Sequence, residues 1–403
     1  MVIWYISKYA SPQKYYFGTR HFYLAEQWVK NGHEAFVITS NASHLTDNLP
    51  KFKNKSFSEV INGVKTIWLN TYRSKKSAGL SRILSWIHFE WQLLTFNKKD
   101  LSRPDVVIVS SLSLLTVLNG YRFAKKNKAK FIFEIRDIWP LTAIELGGYS
   151  KNHPLMLLLS KIEKFGYKKA DAIVGTIPNL KEHVTSIIGE NAKTYCVPQG
   201  LSLDFYQENE KLDDSYVEKY IPRDKFIVAY AGTINANNPL DTLIKAAEKL
   251  SLNPNIHFLI VGNGQLKNKW IEKTSHLPNV SFPPVVSKKQ VNHLLSFVDV
   301  CYDSFESVLA RFGLSRNKWI DYMFAGKPII CSYSGYQSMI DEARSGSFVP
   351  FGDVDLLINK ILAYSKMDRK ELLAMGERGK NFLIQNRTFE KLSLDYVSIM
   401  KEC

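Results

Sequence analysis

SRNKWIDYMFAGKPIICSYSG, residues 315–335, carries the clearest structural and chemical pattern in the chain. Ser315 is a residue type that favours the start of a helix, and Gly326 followed by Lys327 and Pro328 is typical of a helix end. The apolar residues after that proline predict a short buried strand over 329–331. The stretch therefore predicts a helix of about ten residues between a loop and a strand.

The first turn of this predicted helix contains Arg316 and Lys318, beside backbone N–H groups that already favour an anion. Asp321 follows Lys318 by three residues and is expected on the same side of the helix, so that cation, helix N-terminus and carboxylate converge. The cation and the N–H groups would neutralise a diphosphate, and the carboxylate would accept hydrogen bonds from a ribose diol. This chemistry indicates a sugar nucleotide; the alternative is a solvated helix start with an ordinary charge pair.

Length and composition limit the class of protein. A chain of 403 residues with 45% hydrophobic residues suits two globular domains of roughly 200 residues each. The four cysteines lie far apart, which indicates neither a disulfide framework nor a zinc site and fits a reducing cytosol. The apolar N-terminal run is too short for a signal peptide, and no run approaches the roughly 18 apolar residues of a membrane span. We therefore expect a cytoplasmic protein.

The net charge of +15 is distributed unevenly along the chain. Residues 1–200 contain 28 Lys and Arg against 14 Asp and Glu, whereas residues 201–403 contain 25 against 24. This asymmetry predicts that the first domain meets an anionic partner: nucleic acid, a membrane surface or a phosphorylated substrate.

The first forty residues predict the opening unit of a parallel α/β sheet: a strand over 2–6, a loop, a helix over about 19–31 and a strand over 35–39. Gly18 lies in the loop after the first strand, at the sheet edge where open α/β sheets bind ligands. A contact with phosphate or sugar and a simple turn are both compatible with one glycine in a tyrosine-rich loop.

A helix predicted over about 80–96 is apolar on much of its surface, with Trp86, Phe89, Trp91 and Phe96 interleaved and basic residues at both ends. This pattern fits a segment that seeks a membrane surface. It also fits a core helix whose aromatic side chains pack on the sheet.

Arg136 and Asp137 follow the predicted strand FIFEI, at the edge where an α/β sheet presents chemistry. Asp137 is the best acid or base candidate in the first half, with Arg136 holding it ionised. The structural alternative is that the two residues cap the next helix or bind each other.

After an acidic segment over 199–222, predicted to be a linker, the alternation of strands and helices begins again. The strand, loop and helix of YAGTINANNPLDTL present backbone N–H groups at a helix N-terminus. The chain contains neither GxGxxG nor GxxxxGKS, so a dinucleotide fold or a P-loop is not indicated. We expect a first domain over 1–198, a second domain over 223–385, and a terminal helix over 386–403 that packs back on the first domain.

The order YAG, LIVGNG, VSFPPVV, DVCYD and NKWIDYMFAGKPIICS resembles family-4 glycosyltransferases of the GT-B fold. PQGLSLDFY resembles their interdomain segment, and GTRHFYLAEQWVKNGHEAFVITS resembles their opening loop and helix. With RDIWP, the chain is most similar to the branch found in bacterial surface-polysaccharide clusters, such as those for O-antigen and capsule. The resemblance implies an α/β protein of two doubly wound, Rossmann-like domains facing a cleft.

The resemblance also implies site residues. Those implied for the nucleotide sugar are Gly18, Gly232, Thr233, Asn238, Val285, Arg316, Asn317, Lys318 and Asp321; those implied for the acceptor are Tyr16, Arg136 and Asp137. Three features depart from the family pattern. Gly313 stands at the first of two expected glutamates, GTINANNPL lacks the usual Arg and Lys, and Arg136-Asp137 replaces an active-site histidine. Lys318 and Asp137 are therefore the expected catalytic residues.

The activity implied is transfer of a sugar from a nucleoside diphosphate sugar, expected to be UDP-linked, with retention of configuration and with neither metal nor other cofactor. A polyprenyl-diphosphate-linked saccharide at the inner face of the cell membrane would explain both the basic first domain and the aromatic helix. The chain would then be a cytoplasmic, peripheral membrane enzyme. A sugar-nucleotide epimerase of the same fold, a nucleic-acid-binding protein without a recognised motif, and a non-catalytic membrane scaffold are the alternatives.

Overall fold

The computed structural model describes residues 1–15, 19–43, 46, 48–74 and 79–403. The chain divides into two units, one formed by Met1–Gly200 with Phe389–Cys403 and the other by Leu201–Thr388. Each unit contains one sheet with helices connecting its strands, as predicted from the sequence.

The first unit contains an eight-stranded sheet. Its strands are β1 (Val2–Ile6), β2 (Glu34–Ser40), β3 (Ser56–Ile61), β4 (Val64–Leu69), β5 (Val106–Ser110), β6 (Lys130–Ile135), β7 (Ala172–Gly175) and β8 (Thr194–Cys196). The order is β3-β4-β2-β1-β5-β6-β7-β8, and only β3 pairs antiparallel with its neighbour. The central strands read as continuous apolar runs because both faces are covered.

Six helices connect these strands: α1 (Arg20–Lys30), α2 (Leu80–Thr95), α3 (Thr116–Asn127), α4 (Leu141–Glu145), α5 (Pro154–Lys169) and α6 (Leu180–Ile188). The inward face of α2 carries Trp86 and Phe89, which are buried, as is Phe96 directly after the helix. Trp91 points the other way and is exposed. The core-helix interpretation therefore describes the inner face of α2, and the membrane-surface interpretation stays a prediction.

The second unit contains a six-stranded, fully parallel sheet in the order β11-β10-β9-β12-β13-β14. Its strands are β9 (Phe226–Ala231), β10 (Ile256–Val261), β11 (Val280–Ser281), β12 (Val300–Phe305), β13 (Ile329–Tyr333) and β14 (Gly346–Val349). Its helices are α7 (Leu203–Gln207), α8 (Asp214–Tyr220), α9 (Asp241–Lys249), α10 (Lys267–Lys273), α11 (Val291–Ser296), α12 (Asn317–Phe324), α13 (Met339–Glu342), α14 (Val354–Ser365) and α15 (Arg369–Asn386). The predicted pair of doubly wound α/β sheets is confirmed.

The segment over 199–222 is not an unstructured linker. It forms α7 and α8, and the buried side chains of Leu212 and Val217 belong to the core of the second unit. Apolar side chains spaced along the acidic run explain the difference, because they bury a helix face while the acidic residues stay in water.

The last helix, α16 (Phe389–Glu402), lies with the first unit. It packs on α1, where Trp28 meets Tyr396 edge to face and Tyr23 stacks on Phe389. The indole N–H of Trp28 also donates to the carbonyl of Ser393 at 3.4 Å. The structure places the boundary of this element after Thr388, three residues later than the predicted boundary.

Among the described residues, no helix is both long enough and apolar enough to cross a membrane. The four cysteines are free thiols.

Candidate active site

In each sheet, the chain first adds strands on one side of its first central strand and then crosses over to add strands on the other side. In the second unit the chain runs from β9 outward through β10 and β11, then returns to the other side of β9 with β12. Open α/β sheets bind ligands beyond the carboxyl ends of the strands at such a point. Gly232 and Thr233 directly follow β9, and Asp303 lies near the end of β12. In the first unit the corresponding pair is β1 and β5.

Asp303 gathers two cations at this edge. Its fully buried carboxylate accepts from Arg316 Nη1 at 2.9 and 3.0 Å and from Lys318 Nζ at 2.9 Å. Two positive charges against one negative charge leave an excess of one positive charge beside the N-terminus of α12. We call Asp303, Arg316 and Lys318, with Asn238 and Tyr230, the cationic cluster.

The neutral members of the cationic cluster hold the cations in place. Asn238 Oδ1 accepts from Arg316 Nη1 at 3.0 Å and from Lys318 Nζ at 3.1 Å. Lys318 Nζ also donates to the hydroxyl of Tyr230 at 3.1 Å, and that hydroxyl donates to the carbonyl of Thr233 at 2.6 Å. The two cations therefore have fixed positions, which suits a site that binds an anion without reorganising.

Burial and charge act against each other on the ionised groups of the cluster. Burial alone would raise the pKa of Asp303, but the ammonium of Lys318 and the guanidinium of Arg316 outweigh it and hold that pKa below its usual range. Burial lowers the pKa of Lys318, and Asp303 opposes this effect. The carboxylate and the ammonium thus depend on each other for their charge.

Gly232 leaves room for the lysine. A Cβ atom at this position would lie 3.2 Å from Cε of Lys318 and 3.2 Å from the hydroxyl of Tyr230. A larger residue would push the ammonium away from Asp303. Of the residues predicted for the nucleotide sugar, Gly232, Asn238, Arg316 and Lys318 are therefore brought together by the structure.

Asp321 belongs to a second, separate group of side chains. Its carboxylate accepts from Lys288 Nζ at 2.5 and 2.6 Å and from the hydroxyl of Tyr206 at 2.5 Å. Lys318 and Asp321 do not pair with each other, because Lys318 turns to Asp303; their joint contact with one nucleotide stays a prediction. Helix spacing placed both residues on neighbouring turns, but buried partners on other elements determine where each side chain points.

Other predicted residues make few polar contacts. Thr233, Val285 and Asn317 are exposed around the same sheet edge, and Thr233 contributes its carbonyl as described. The helix begins at Asn317 with Arg316 in the capping position, so Ser315 is not the N-cap. Tyr16 and Gly18 lie outside the described residues.

In the first unit, Asp137 follows β6 and is oriented by two neighbours. Its Oδ1 accepts from the hydroxyl of Thr142 at 2.6 Å, and its Oδ2 accepts from the indole N–H of Trp139 at 3.0 Å. Burial raises the pKa of Asp137, and these hydrogen bonds oppose the shift. A carboxylate with a raised pKa is a better proton acceptor than an ordinary one.

The sequence predicts that Arg136 holds Asp137 ionised, but the groups that lower the pKa of Asp137 are Thr142, Trp139, the backbone of Ile138 and the charge of Arg82. Among the charges that keep the guanidinium of Arg136 ionised, Glu134 outweighs Asp137, and Glu134 is a buried carboxylate that accepts from Tyr5 at 2.7 Å. Burial also lowers the pKa of Arg136.

Sequence reasoning missed Asp303, Tyr230, Lys288 and Tyr206. Asp303 and Tyr230 stand out only as polar groups inside apolar strands, DVCYDSF and FIVAYA. Their partners come from distant parts of the chain, which no local pattern reveals. Within the described ranges, no group of three or more His, Cys, Asp or Glu side chains is placed to hold a metal ion.

Two family models match the chain. Residues 18–200 match the glycosyl transferase 4-like domain, and residues 214–382 match the glycosyl transferases group 1 family. An uncharacterized glycosyltransferase of Methanocaldococcus jannaschii is 29% identical over 184 residues, a match that spans 43% of each protein.

Solved structures share the fold along the whole chain. Sucrose-phosphate synthase from Thermosynechococcus elongatus superposes with a TM-score of 0.72 at 16% identity, covering 100% of this chain and 98% of that one. A trehalose-6-phosphate synthase from E. coli bound with UDP-2-fluoro glucose has a TM-score of 0.74 at 10% identity, and the match covers 100% of this chain and 99% of that one. Anabaena HepE in complex with UDP-glucose gives 0.64 at 11% identity, covering 100% of both. The chain is thus a glycosyltransferase of the GT-B fold, built from a glycosyl transferase 4-like domain and a glycosyl transferases group 1 domain.

Proposed function

We propose that this protein transfers a sugar from a UDP-linked nucleotide sugar to a hydroxyl of a saccharide acceptor, with retention of anomeric configuration. The cationic cluster carries the proposal. It places one excess positive charge beside the N-terminus of an eight-residue helix, at the sheet edge where ligands bind. Structures of the same fold solved with UDP-glucose and with UDP-2-fluoro glucose support a UDP-linked donor.

In the proposed reaction, the bond between the anomeric carbon and the diphosphate oxygen breaks, and a bond to the acceptor oxygen forms on the same face of the sugar. The departing diphosphate gains negative charge as the bond breaks. Lys318 and Arg316 stabilise that charge without moving, because Asp303 and Asn238 already hold them. This fixed positive charge is proposed to make a metal ion unnecessary.

Asp321 is proposed to bind the ribose of the donor, because it stands at the second glutamate position of the family pattern. Its carboxylate already has Lys288 and Tyr206 as partners. A carboxylate offers about four lone-pair sites, so two ribose hydroxyls can join these donors or displace them.

The acceptor is proposed to bind the first domain, with Asp137 orienting its hydroxyl or taking its proton. We propose that this acceptor is a saccharide linked to a polyprenyl diphosphate, used in cell-surface polysaccharide synthesis at the inner face of the membrane. The positive charge of residues 1–200 and the RDIWP motif support this assignment.

The test is a thermal-shift screen with UDP-, GDP- and dTDP-sugars in EDTA, followed by an assay of sugar transfer. At a donor concentration about 100 times Kd we expect a UDP-sugar to raise the melting temperature by about 5 °C. The other two classes should have smaller effects. If no nucleotide sugar shifts the melting temperature, the protein is not the proposed transferase. Turnover of the nucleotide sugar without any acceptor product would instead favour an epimerase.

A further inference from the structure

Helix α2 is apolar on two opposite faces. Its inner face is built into the core of the first unit, with Trp86, Phe89 and Leu93 buried. On its outer face, four large apolar side chains are exposed by 37 to 63% of their surface: Leu84, Ile87, Trp91 and Leu94. We call these four residues the α2 stripe.

The α2 stripe is continuous along the helix. Positions 84, 87, 91 and 94 repeat every three or four residues, which places them in one line on one side. Ten residues of helix extend about 15 Å, so the stripe is a long apolar surface rather than a single exposed residue. Soluble proteins seldom leave such a surface uncovered, and where they do it is usually an interaction site.

Positive charge surrounds the end of the stripe. Lys98 follows α2, and its ammonium lies 4.1 Å from the ring centre of Phe96 and 5.1 Å from that of Phe123 on α3. Burial lowers the pKa of Lys98 to about 8, and the nearby charges of Lys126 and Arg122 lower it too. Lys98 Nζ donates to the carbonyl of Leu94 at 3.0 Å, and Arg122 and Lys126 lie on α3 within three residues of Phe123, so these three cations form one patch at this end of α2. Arg82, near the other end of α2, lies over the ring of Trp86 on the inner face and does not belong to this patch.

We propose that the α2 stripe is the surface by which this protein docks on an anionic lipid bilayer, with the helix lying in the plane of the headgroups. The apolar stripe would enter the headgroup and acyl boundary, where tryptophan is favoured, and the flanking cations would meet lipid phosphates. The one acidic residue of α2, Glu90, is buried, so the same helix of a second copy would offer the patch of Lys98, Arg122 and Lys126 no negative charge. Charge complementarity therefore favours the lipid.

The inference extends the proposed function, because α2 adjoins the candidate acceptor residue. Trp86 on its inner face packs edge to face on Trp139, with ring centres 5.6 Å apart. Trp139 in turn donates to Asp137. A lipid-linked acceptor held in the bilayer at α2 would thus have its saccharide near Asp137.

The experiment measures binding of the full-length protein to vesicles by flotation, with neither donor nor acceptor present. The vesicles contain phosphatidylethanolamine with phosphatidylglycerol, or phosphatidylcholine alone. The test variant is I87S/W91S, and the matched control is L252S/L373S, which removes two exposed leucines of the second unit. We expect wild type and control to bind the anionic vesicles and the test variant to bind at least about tenfold more weakly. Because all four residues are exposed, melting temperatures should be alike.

Two outcomes would overturn the proposal. In one, I87S/W91S floats with anionic vesicles as well as wild type does. In the other, wild type does not bind vesicles and forms a dimer that I87S/W91S abolishes, so that a second copy covers the stripe. Either result leaves the proposed sugar transfer standing, since the thermal-shift screen tests it with soluble donor alone.

Discussion

Asp303 shows how much a single buried residue contributes to the candidate site. Without it, Arg316 and Lys318 would repel each other at the start of α12, and with it both point to the same sheet edge. An isolated buried carboxylate would be costly, so the site depends on all three charges being present. Asp303 neutralises one of the two positive charges, and it also fixes the positions of both cations.

At the same scale, Asp137 has the orientation and the pKa shift that a proton acceptor needs. We predict that Asp137→Asn slows sugar transfer by roughly 10²-fold or more and leaves nucleotide binding unchanged. In wild type the active form is the carboxylate, so activity should fall as the pH falls through the pKa of Asp137. Because burial raises that pKa, the fall should begin above the range of an ordinary aspartate. Initial rates measured across pH check both statements.

A purely structural Asp137 would behave differently. It would show a lower melting temperature with near-normal turnover of the folded protein, since only the contacts to Thr142 and Trp139 would be lost. Measuring turnover and melting temperature on one preparation separates the two roles. Glu145→Gln, an exposed carboxylate at the end of α4, is the control for the loss of one charge.

Residues that belong to a local sequence pattern were predictable as parts of the site. Arg316 and Lys318 were recognisable because a helix start with cations is a local pattern, and Gly326, at φ 63°, ends that helix as expected. Asp303 and Lys288 were not recognisable, because their roles depend on which strand or loop lies opposite. The same limit explains Asp321: its position on the helix was predictable, but its partners were not.

At the scale of elements, a buried carboxylate connects α2 to α3. Glu90 accepts from Thr116 Oγ1 at 2.5 Å, from Asn119 Nδ2 at 2.7 Å and from Ser113 Oγ at 3.3 Å. Burial raises the pKa of Glu90 to about 7, although these three bonds oppose the shift. Lys8, whose pKa burial lowers to about 7, is the charged group nearby.

The raised pKa predicts a pH dependence of stability. The folded protein keeps a proton on Glu90 between the ordinary pKa of 4.5 and about 7, whereas the unfolded chain releases it. The contribution of Glu90 is therefore complete below pH 4.5 and is lost as pH rises through about 7, on the order of 3 kcal/mol in total. Glu90→Gln should remove this loss. Urea unfolding at about pH 5, 6 and 7 measures this loss.

The pH dependence of the free energy of unfolding should differ between wild type and Glu90→Gln. The free energy of unfolding of wild type should fall relative to that of Glu90→Gln as pH rises, and Glu145→Gln should follow wild type. Parallel curves for wild type and Glu90→Gln would show that Glu90 does not carry this dependence. The opposite shift of Lys8 acts mainly between pH 7 and 10.5, outside this window.

Elements with a strong apolar period were predictable, and those defined by packing were not. The helix over 80–96 was expected and spans Leu80–Thr95. The helix after Ser315 is eight residues rather than about ten, because Arg316 has extended backbone angles and turns its side chain back to Asp303. α7 and α8 were read as a linker because acidic residues hide the few apolar side chains that anchor them.

For the whole molecule, the uneven charge agrees with the proposed roles of the two units, acceptor binding by the first and donor binding by the second. The basic first half carries the α2 stripe and Asp137, and the nearly neutral second half carries the cationic cluster. The two doubly wound sheets were predictable from the alternation of strands and helices, because that order leaves few other topologies. Which side chains meet at each sheet edge required the structure.

The central claim is that the cationic cluster and Asp321 bind a nucleotide without a metal ion. Calorimetric titration of UDP in EDTA into wild type, Lys318→Ala, Asp321→Asn and the exposed control Lys370→Ala tests it most directly. We predict that wild type and Lys370→Ala bind alike, and that each site variant loses about 1–3 kcal/mol of binding free energy, roughly a 5- to 150-fold rise in Kd. Equal affinity of all four folded proteins for UDP, or binding of UDP only after Mg²⁺ is added, would contradict the claim.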